Sequence, residues 1–165
     1  MKNILLSITL ASFALSTTAA LNTADATEGL SANVGITSNY LWRGLEQTNG
    51  AAALSGGIDY TNKSGFYLGT WISNADWANN DMSYEMDIYG GYSANINDDL
   101  SYDVGFIYFA YPDETTGNAD FSEVYASLSF QALTLGLSVL TSGEDADFGD
   151  TIYANADYSI ALAND

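Results

Sequence analysis

The sequence has no cysteine and no histidine, and only one proline interrupts its 165 residues. Without cysteine the chain forms no disulfide, and without cysteine and histidine it cannot build the thiolate and imidazole sites that bind zinc. The same absences exclude nucleophilic mechanisms that depend on a cysteine or a histidine. Carboxylates, hydroxyls and a few cations are the groups that remain for chemistry.

Basic residues are also scarce, since 3 lysines and arginines stand against 21 aspartates and glutamates. The resulting formal net charge of −18 repels a phosphate backbone, which argues against nucleic acid as a partner. Charged residues nevertheless make up only 15% of the chain, and aromatic residues make up 13%. Because disordered acidic tails are poor in aromatic residues, the composition predicts a folded protein.

The N-terminus has the pattern of a secretory signal peptide. Lys2 precedes an apolar run that is too short to span a bilayer as a helix. A cleavage site of the A-x-A type ends at Ala26, and Ala20 is a second candidate. We therefore expect residues 1–26 to be a signal peptide and residues 27–165 to be an exported domain. A buried N-terminal helix is the alternative interpretation.

From Leu30 onward the apolar residues recur with a period of two, which is typical of β-strands. Val34 and Ile36 share one parity, for example, whereas Asn33 and Thr37 share the other. We count eight such runs of about ten residues, the length that a tilted transmembrane strand needs. Only the third run is ambiguous, because bulky apolar side chains occupy both of its parities.

The connections between the predicted strands alternate strictly between short and long. The short ones are residues 61–64, 95–99 and 131–132, and the long, polar ones are residues 44–50, 74–83, 112–120 and 142–150. An antiparallel up-and-down meander then gathers all long connections at one end, as in bacterial outer-membrane β-barrels. A soluble β-sandwich, the alternative all-β fold, gives no reason for this sorting.

Aromatic residues on the apolar parity fall near the strand ends and leave an aliphatic band between them. Near the long connections are Tyr40, Trp42, Tyr84 and Tyr108, and near the short turns are Tyr60, Phe66, Tyr92, Tyr102, Phe130 and Tyr158. Two such belts indicate a lipid-facing surface, because tyrosine and tryptophan rings settle at the headgroup level. The prediction is an all-β transmembrane barrel.

The opposite parity carries most of the strand carboxylates. If the apolar parity faces lipid, the lumen is lined by Arg43, Asp59, Glu85, Asp87, Asp103, Glu123 and Asp157. Six carboxylates around one guanidinium would be costly in a dry interior, because unpaired buried charges lose hydration. The lumen is therefore wet, or several acids are protonated, or the barrel has more than eight strands, and we favour a wet, wider barrel. Arg43 is either a charge at a pore constriction or a partner for nearby acids.

The last residues, 161–165, resemble the start of another tight turn. Outer-membrane barrels usually end in a strand with a terminal aromatic residue, whereas this sequence ends in Asp165. We therefore expect the eight visible strands to belong to a larger barrel that is truncated at its C-terminus. The alternative is that the first and last strands close on each other.

Several segments resemble, in order, the TorF-type family of porins. They read NVGITSNY at 33–40, WRG at 42–44, QTNG at 47–50, SGFYLGTW at 64–71, DIYGGY at 87–92, YDVG at 102–105 and EVYA at 123–126. The resemblance covers nearly all of residues 28–160 and implies an outer-membrane β-barrel with a pore role. It implies no catalytic or ligand residues.

Two acidic patterns invite other chemistry. Residues 145–150 resemble a calcium loop but lack its third spaced ligand and its distal glutamate, so a solvated acidic loop explains them better. Glu85 and Asp87 share a strand face as a glycosidase pair would, yet lining a lumen explains them without a reaction. We expect no enzymatic activity, no cofactor and no metal site.

The sequence thus predicts an outer-membrane porin that lets small polar or cationic solutes diffuse through an acidic, hydrated lumen. Its expected partners are outer-membrane lipid and lipopolysaccharide, the barrel-assembly machinery and the solutes themselves. A closed structural or surface-interaction barrel with cation-binding acidic loops is the alternative. A soluble, secreted acidic sandwich is the third possibility.

Overall fold

The structure, a computed structural model, describes residues 3–6, 29–77, 82–115 and 117–160. Every regular element in these ranges is a β-strand. The strands are β1 (Asn3–Leu6), β2 (Leu30–Thr37), β3 (Leu41–Trp42), β4 (Leu45–Glu46), β5 (Ala53–Thr61), β6 (Phe66–Asn74), β7 (Tyr84–Asn95), β8 (Leu100–Ala110), β9 (Phe121–Phe130), β10 (Leu133–Ser142) and β11 (Thr151–Tyr158).

The eight long strands form one antiparallel sheet in the order β2-β5-β6-β7-β8-β9-β10-β11. Each of these strands pairs with the next long strand of the chain, and β3 and β4 form a separate small hairpin between β2 and β5. The prediction of an all-β, antiparallel up-and-down fold is confirmed. The short turns, at residues 62–65, 96–99 and 131–132, lie at one end of the sheet, and the long connections lie at the other.

The sheet does not close into a barrel through the pairings that the structure describes. β2 pairs with β5 alone, while β1 runs parallel to β11 and places Ile4 opposite Ile152. An edge strand presents unpaired N–H and C=O groups, which a further strand satisfies through its backbone. The strand that pairs with the edge of β11 is β1. It therefore occupies the edge that would have to pair with β2 in a closed barrel.

β1 lies within the predicted signal peptide, residues 1–26, and the rest of that segment lies outside the described residues. The turn predicted over residues 161–165 also lies outside them. In the ranges that the structure covers, no helix is long and apolar enough to cross a bilayer.

The two faces of the sheet have the reverse of the usual polarity. Leu54, Leu68 and Leu135 are 62%, 60% and 50% exposed, whereas Glu85 and Glu123 are each 2% exposed. We call the apolar, exposed face the outer face and the opposite one the inner face. Soluble proteins bury apolar side chains and rarely bury carboxylates fully, so this distribution is unlike that of a soluble β-sandwich.

The ambiguous third run of the sequence is β6, and its two faces are distinct in the structure. Phe66 and Leu68 lie on the outer face, where each is about 60% exposed. Tyr67 lies on the inner face, where its hydroxyl bonds Asp103. Both parities carry bulky residues because the inner face of this sheet is itself filled with aromatic rings.

The prediction that Tyr40 and Trp42 belong to an outer aromatic belt at the long-connection end is wrong. The Tyr40 hydroxyl reaches the buried Glu85 carboxylate, and the Trp42 ring packs against Phe109 on the inner face. The strand alternation ends at Thr37, where β2 ends, so the parity of later residues no longer assigns them to a face.

Candidate functional site

A two-residue turn connects β3 and β4, and this hairpin packs on the inner face. Arg43 and Gly44 form the turn between the paired residues Trp42 and Leu45, with φ angles of 50° and 82°. Two successive positive φ angles are those of a type I′ hairpin turn, which favours asparagine or glycine. Gly44 fits this preference, whereas Arg43 adopts a conformation that L-residues disfavour. The side chain of Arg43 compensates for this through the contacts described next.

The guanidinium of Arg43 forms a two-pronged ion pair with the carboxylate of Glu123 on β9. Its Nη1 donates to Oε1 at 2.7 Å and its Nη2 donates to Oε2 at 2.6 Å. The same guanidinium lies 4.3 Å from the ring centroid of Trp42 and 4.1 Å from that of Tyr153 on β11. Parallel hydrogen bonds and two aromatic faces satisfy both the edge and the planes of a guanidinium.

Trp42 anchors the hairpin in an aromatic cluster. Its ring lies edge-on to Phe109 and Phe121, with centroids 5.8 and 5.7 Å away, and those two rings stack at 4.3 Å. The buried Met82 and Tyr111 complete the core of this cluster. The hairpin is therefore packed against the inner face at the long-connection end and does not project into solvent.

Contacts from this one segment extend across nearly the whole sheet. Tyr40 packs on Trp71 of β6, Arg43 pairs with Glu123 of β9, and Arg43 also covers Tyr153 of β11. In a flat sheet with a strand spacing of about 4.8 Å, β9 would be about 24 Å from β2 and β11 still farther. The sheet therefore curls with its inner face around the hairpin.

Glu85 is held by two tyrosine hydroxyls. Tyr40 donates to Oε1 at 2.6 Å and Tyr111 donates to Oε2 at 2.5 Å, and the three side chains lie at the same end of the sheet. Two phenolic donors satisfy both oxygens of a carboxylate that is almost completely buried. This arrangement solvates one of the predicted inner acids without a cation.

Asp87, two residues further along β7, has no such support. It is 7% exposed, and its Oδ1 is buried without a hydrogen-bond partner among the residues that the structure describes. Its register neighbours are Trp71 on β6 and Phe109 on β8. A buried carboxylate oxygen without a donor is energetically costly, and it marks a position where a cation or a proton would be accommodated.

Two further acids, in the middle of the inner face, accept hydrogen bonds from tyrosines whose rings lie over glycines. Tyr89 donates to Asp59. The hydroxyl of Tyr67 lies 2.8 Å from Asp103 and 2.6 Å from the hydroxyl of Tyr125. A Cβ at Gly91 or Gly105 would lie 2.4 Å from an atom of Tyr67 or Tyr125, so these positions leave room for the rings.

The remaining predicted residue, Asp157, does not join this group. It is exposed on β11 and accepts a hydrogen bond of 2.6 Å from Asn155 on the same strand. Towards the same end of the sheet, a polar cavity of about 330 Å³ lies on the inner face beside Asp103. Its other lining residues come from β7, β8 and β9: Ser93, Ala94, Asn95, Ser101, Tyr102, Ser127 and Ser129.

The inner face thus carries Arg43, Asp59, Glu85, Asp87, Asp103 and Glu123, and the structure brings Arg43 and Glu123 into direct contact. No group of three or more candidate metal ligands forms within the described ranges. The sequence did not indicate Tyr67, Tyr89 and Tyr111, which bond the acids, Tyr125, which bonds Tyr67, or Tyr153, which lies against Arg43. Three of them face inner glycines of neighbouring strands, and this pairing follows from strand register, which the sequence does not specify.

Residues 21–165 match the family described as bacterial protein of unknown function (Gcw_chp), and the chain belongs to that family. No curated protein and no solved structure matches the chain.

Proposed function

We propose that this member of the Gcw_chp family is an outer-membrane β-barrel protein that lets small polar or cationic solutes diffuse along its acidic inner face. The observation that carries the proposal is the reversed polarity of the sheet. The strand residues Leu54, Leu68 and Leu135 are half exposed or more, while Glu85 and Glu123 are buried. A bilayer supplies the apolar surroundings that this outer face lacks in water.

Aromatic residues at the short-turn end support a membrane interface there. Tyr60, Phe66, Phe130 and Tyr158 are 40%, 61%, 52% and 70% exposed on or near the outer face. Amphipathic rings at the strand ends suit the headgroup region, and the aliphatic side chains between the ends suit the acyl chains. Lipid and lipopolysaccharide are accordingly the proposed surroundings, and the barrel-assembly machinery is the proposed insertion partner.

Membrane insertion requires that the sheet edges be paired. Each unsatisfied backbone group in hydrocarbon costs several kcal/mol, so an open edge at β2 is not tolerated there. The curl of the sheet around the β3–β4 hairpin brings the two ends of the meander towards each other. The proposal therefore includes removal of the predicted signal peptide, which carries β1, and pairing of the freed β11 edge in the membrane. The resemblance to TorF-type porins is an independent argument for the same architecture.

The charges of the inner face favour cations. Asp59, Glu85 and Asp103 accept hydrogen bonds from tyrosine hydroxyls, and Arg43 forms its ion pair with Glu123. Carboxylates along a confined path raise the local concentration of cations and repel anions. We propose no enzymatic role, because the inner acids are supported by tyrosines and not arranged around a nucleophile.

Planar-bilayer recording of the purified, reconstituted chain tests this function. We expect conductance with a reversal potential that indicates cation selectivity in a potassium chloride gradient. Asp103→Asn should reduce that selectivity, whereas Asp98→Asn, which removes the same charge from a short turn, should leave it unchanged. Anion selectivity, or equal effects of the two variants, would contradict the proposal.

A closed structural or surface-interaction barrel is the second candidate. Its supporting observation is that the β3–β4 hairpin packs on the inner face at the long-connection end, anchored by Trp42 and Arg43. This candidate predicts a folded, heat-modifiable protein in the outer-membrane fraction that gives no conductance. The bilayer recording therefore distinguishes the two functions.

A further inference from the structure

The ion pair between Arg43 and Glu123 has the composition of a ligand site. Glu123 is almost fully buried on β9, and its two oxygens accept the two prongs of the guanidinium. The ring of Tyr153 lies 4.1 Å from the guanidinium carbon, on a different strand from the carboxylate. Arg43 itself is supplied by a hairpin that belongs to neither strand. Glu123 and Tyr153 thus belong to the sheet, whereas Arg43 belongs to the separate β3–β4 hairpin.

We propose that Glu123 and Tyr153 form a binding site for guanidinium-type cations and that Arg43 is its tethered occupant. The identity of the ligand class follows from the occupant. A planar fork with parallel N–H donors matches a carboxylate, and a delocalised, weakly hydrated cation suits an aromatic face. A sodium ion or a simple ammonium ion can satisfy the charge but not both of these features.

Arg43 and the hairpin that carries it are held by different contacts. Arg43 sits at the tip of a hairpin of two residue pairs, in a left-handed conformation that asparagine or glycine adopts more readily. Trp42 packs independently against Phe109 and Phe121. The hairpin therefore keeps an aromatic anchor when the Arg43 side chain leaves Glu123.

The surroundings of the site supply a second carboxylate for a cation that enters. Asp87 lies on the inner face two strands from Glu123: its partner on β8 is Phe109, and the β8 partner of Glu123 is Ile107, two residues earlier. Its Oδ1 has no hydrogen-bond partner among the described residues. A guanidinium solute that displaces Arg43 and then leaves Glu123 thus has the Asp87 carboxylate as its next anionic partner. This last step rests on the proposed transport function, whereas the binding site does not.

The test uses the full chain folded in detergent and the variant Arg43→Asn. Asparagine followed by Gly44 is the preferred sequence of a type I′ turn, so this variant removes the guanidinium and keeps the hairpin geometry. Tryptophan and tyrosine fluorescence is followed during titration with guanidinium chloride at low, non-denaturing concentrations. Sodium chloride at equal ionic strength is the control.

We expect saturable binding of guanidinium to Arg43→Asn and at least about tenfold weaker binding to the wild type, because a tethered group competes at millimolar effective concentration. Adding Glu123→Gln to the variant should abolish the response. If Arg43→Asn does not fold alone, guanidinium but not sodium should restore its folding. Equal responses of wild type and variant, equal effects of the two salts, or failure of this rescue would overturn the site.

The binding measurement and the bilayer recording separate the two proposals. Saturable guanidinium binding without conductance in either protein supports the site and contradicts the porin. Conductance without any guanidinium response of Arg43→Asn supports the porin and contradicts the site. If both hold, millimolar guanidinium should lower the potassium current of Arg43→Asn more than that of the wild type.

Discussion

Asp103 and Val104 are consecutive residues of β8 that lie on opposite faces of the sheet. The Asp103 carboxylate accepts a hydrogen bond of 2.8 Å from Tyr67 on the inner face, whereas Val104 is 43% exposed on the outer face. Successive side chains of a strand point to opposite faces, so these two neighbouring residues lie in different environments. The proposed function assigns lipid to one of these environments and water to the other.

Single cysteines at these two positions test that assignment. The natural chain has no cysteine, so each variant carries one thiol against a silent background. In reconstituted vesicles, Val104→Cys should react with a thiol reagent confined to the acyl region, and Asp103→Cys should react with a charged, water-soluble one. Labelling is read by mass spectrometry. The opposite pattern would place water on the apolar face and exclude a membrane barrel.

Leu137→Arg tests the same outer face through stability. Leu137 lies near the middle of β10 and is 46% exposed. An arginine at the midplane of a bilayer destabilises a barrel by about 2–4 kcal/mol. An exposed apolar side chain of a soluble protein tolerates the same change to within about 0.5 kcal/mol. Urea unfolding in lipid vesicles, monitored by tryptophan fluorescence, measures the difference.

The control for this change is Ile96→Arg, in the short turn between β7 and β8. Ile96 is 56% exposed, so its solvent accessibility resembles that of Leu137, but it lies at the end of the sheet. Substitutions near the interface cost about 0–1 kcal/mol. Equal, small effects at both positions would indicate an aqueous outer face.

The long strands and their faces were predictable because the information is local. Val34 and Ile36 are two residues apart, and this spacing alone places both on one face of β2. The ion pair of Arg43 with Glu123 was not predictable, because 80 residues separate the two and the hairpin strands contain only two residues each. Such short strands carry no periodicity, so the sequence placed Trp42 and Arg43 at the end of the first strand and only residues 44–50 in the long connection.

The tyrosine support of the inner acids depends on register, which the sequence does not specify. Tyr67 reaches Asp103 on β8 because β7 between them has Gly91 at the crossing point. The sequence places Gly91 and Asp103 on the polar parity but leaves the run of Tyr67 ambiguous, and which glycine faces which ring follows from strand pairing. The acids are therefore recognisable from the sequence pattern, whereas the residues that bond them are not.

The pH dependence of stability should reveal the contact between Asp113 and Ser83, which lie in two different long connections. Asp113 accepts hydrogen bonds from the hydroxyl of Ser83 and, at 2.8 Å, from its backbone N–H. The hydroxyl bond, together with backbone bonds, holds the pKa of Asp113 below its usual value of 3.8. A carboxyl group with a lowered pKa in the folded state stabilises it above the unfolded pKa, and this contribution is lost as pH falls through the folded pKa.

Asp113→Asn should therefore be less stable than the wild type at neutral pH, and the difference should disappear on acidification below about pH 4. Ser83→Ala, which keeps the backbone donor, should give a smaller difference with the same pH dependence. Urea unfolding at a series of pH values measures both. A difference that is constant down to the acid limit would show that the carboxylate charge of Asp113 contributes nothing.

Gly91→Ala should disrupt the inner face although it adds only one methyl group. The new Cβ would lie 2.4 Å from the hydroxyl of Tyr67 and 2.5 Å from the carbonyl oxygen of Val104. The ring could rotate away, but then its hydrogen bond to Asp103 breaks, and the carbonyl belongs to the sheet itself. Overpacking of this kind costs about 1–3 kcal/mol.

Gly35→Ala is the matched control, because the nearest heavy atom to its Cβ is the Ser55 hydroxyl oxygen at 3.5 Å, an ordinary contact. The two substitutions are chemically identical and both lie in strands, so strand propensity affects them alike. The expected result is a lower unfolding midpoint for Gly91→Ala only. If both variants unfold together, Tyr67 has room to move, and the glycine opposite it is not what positions the hydroxyl on Asp103.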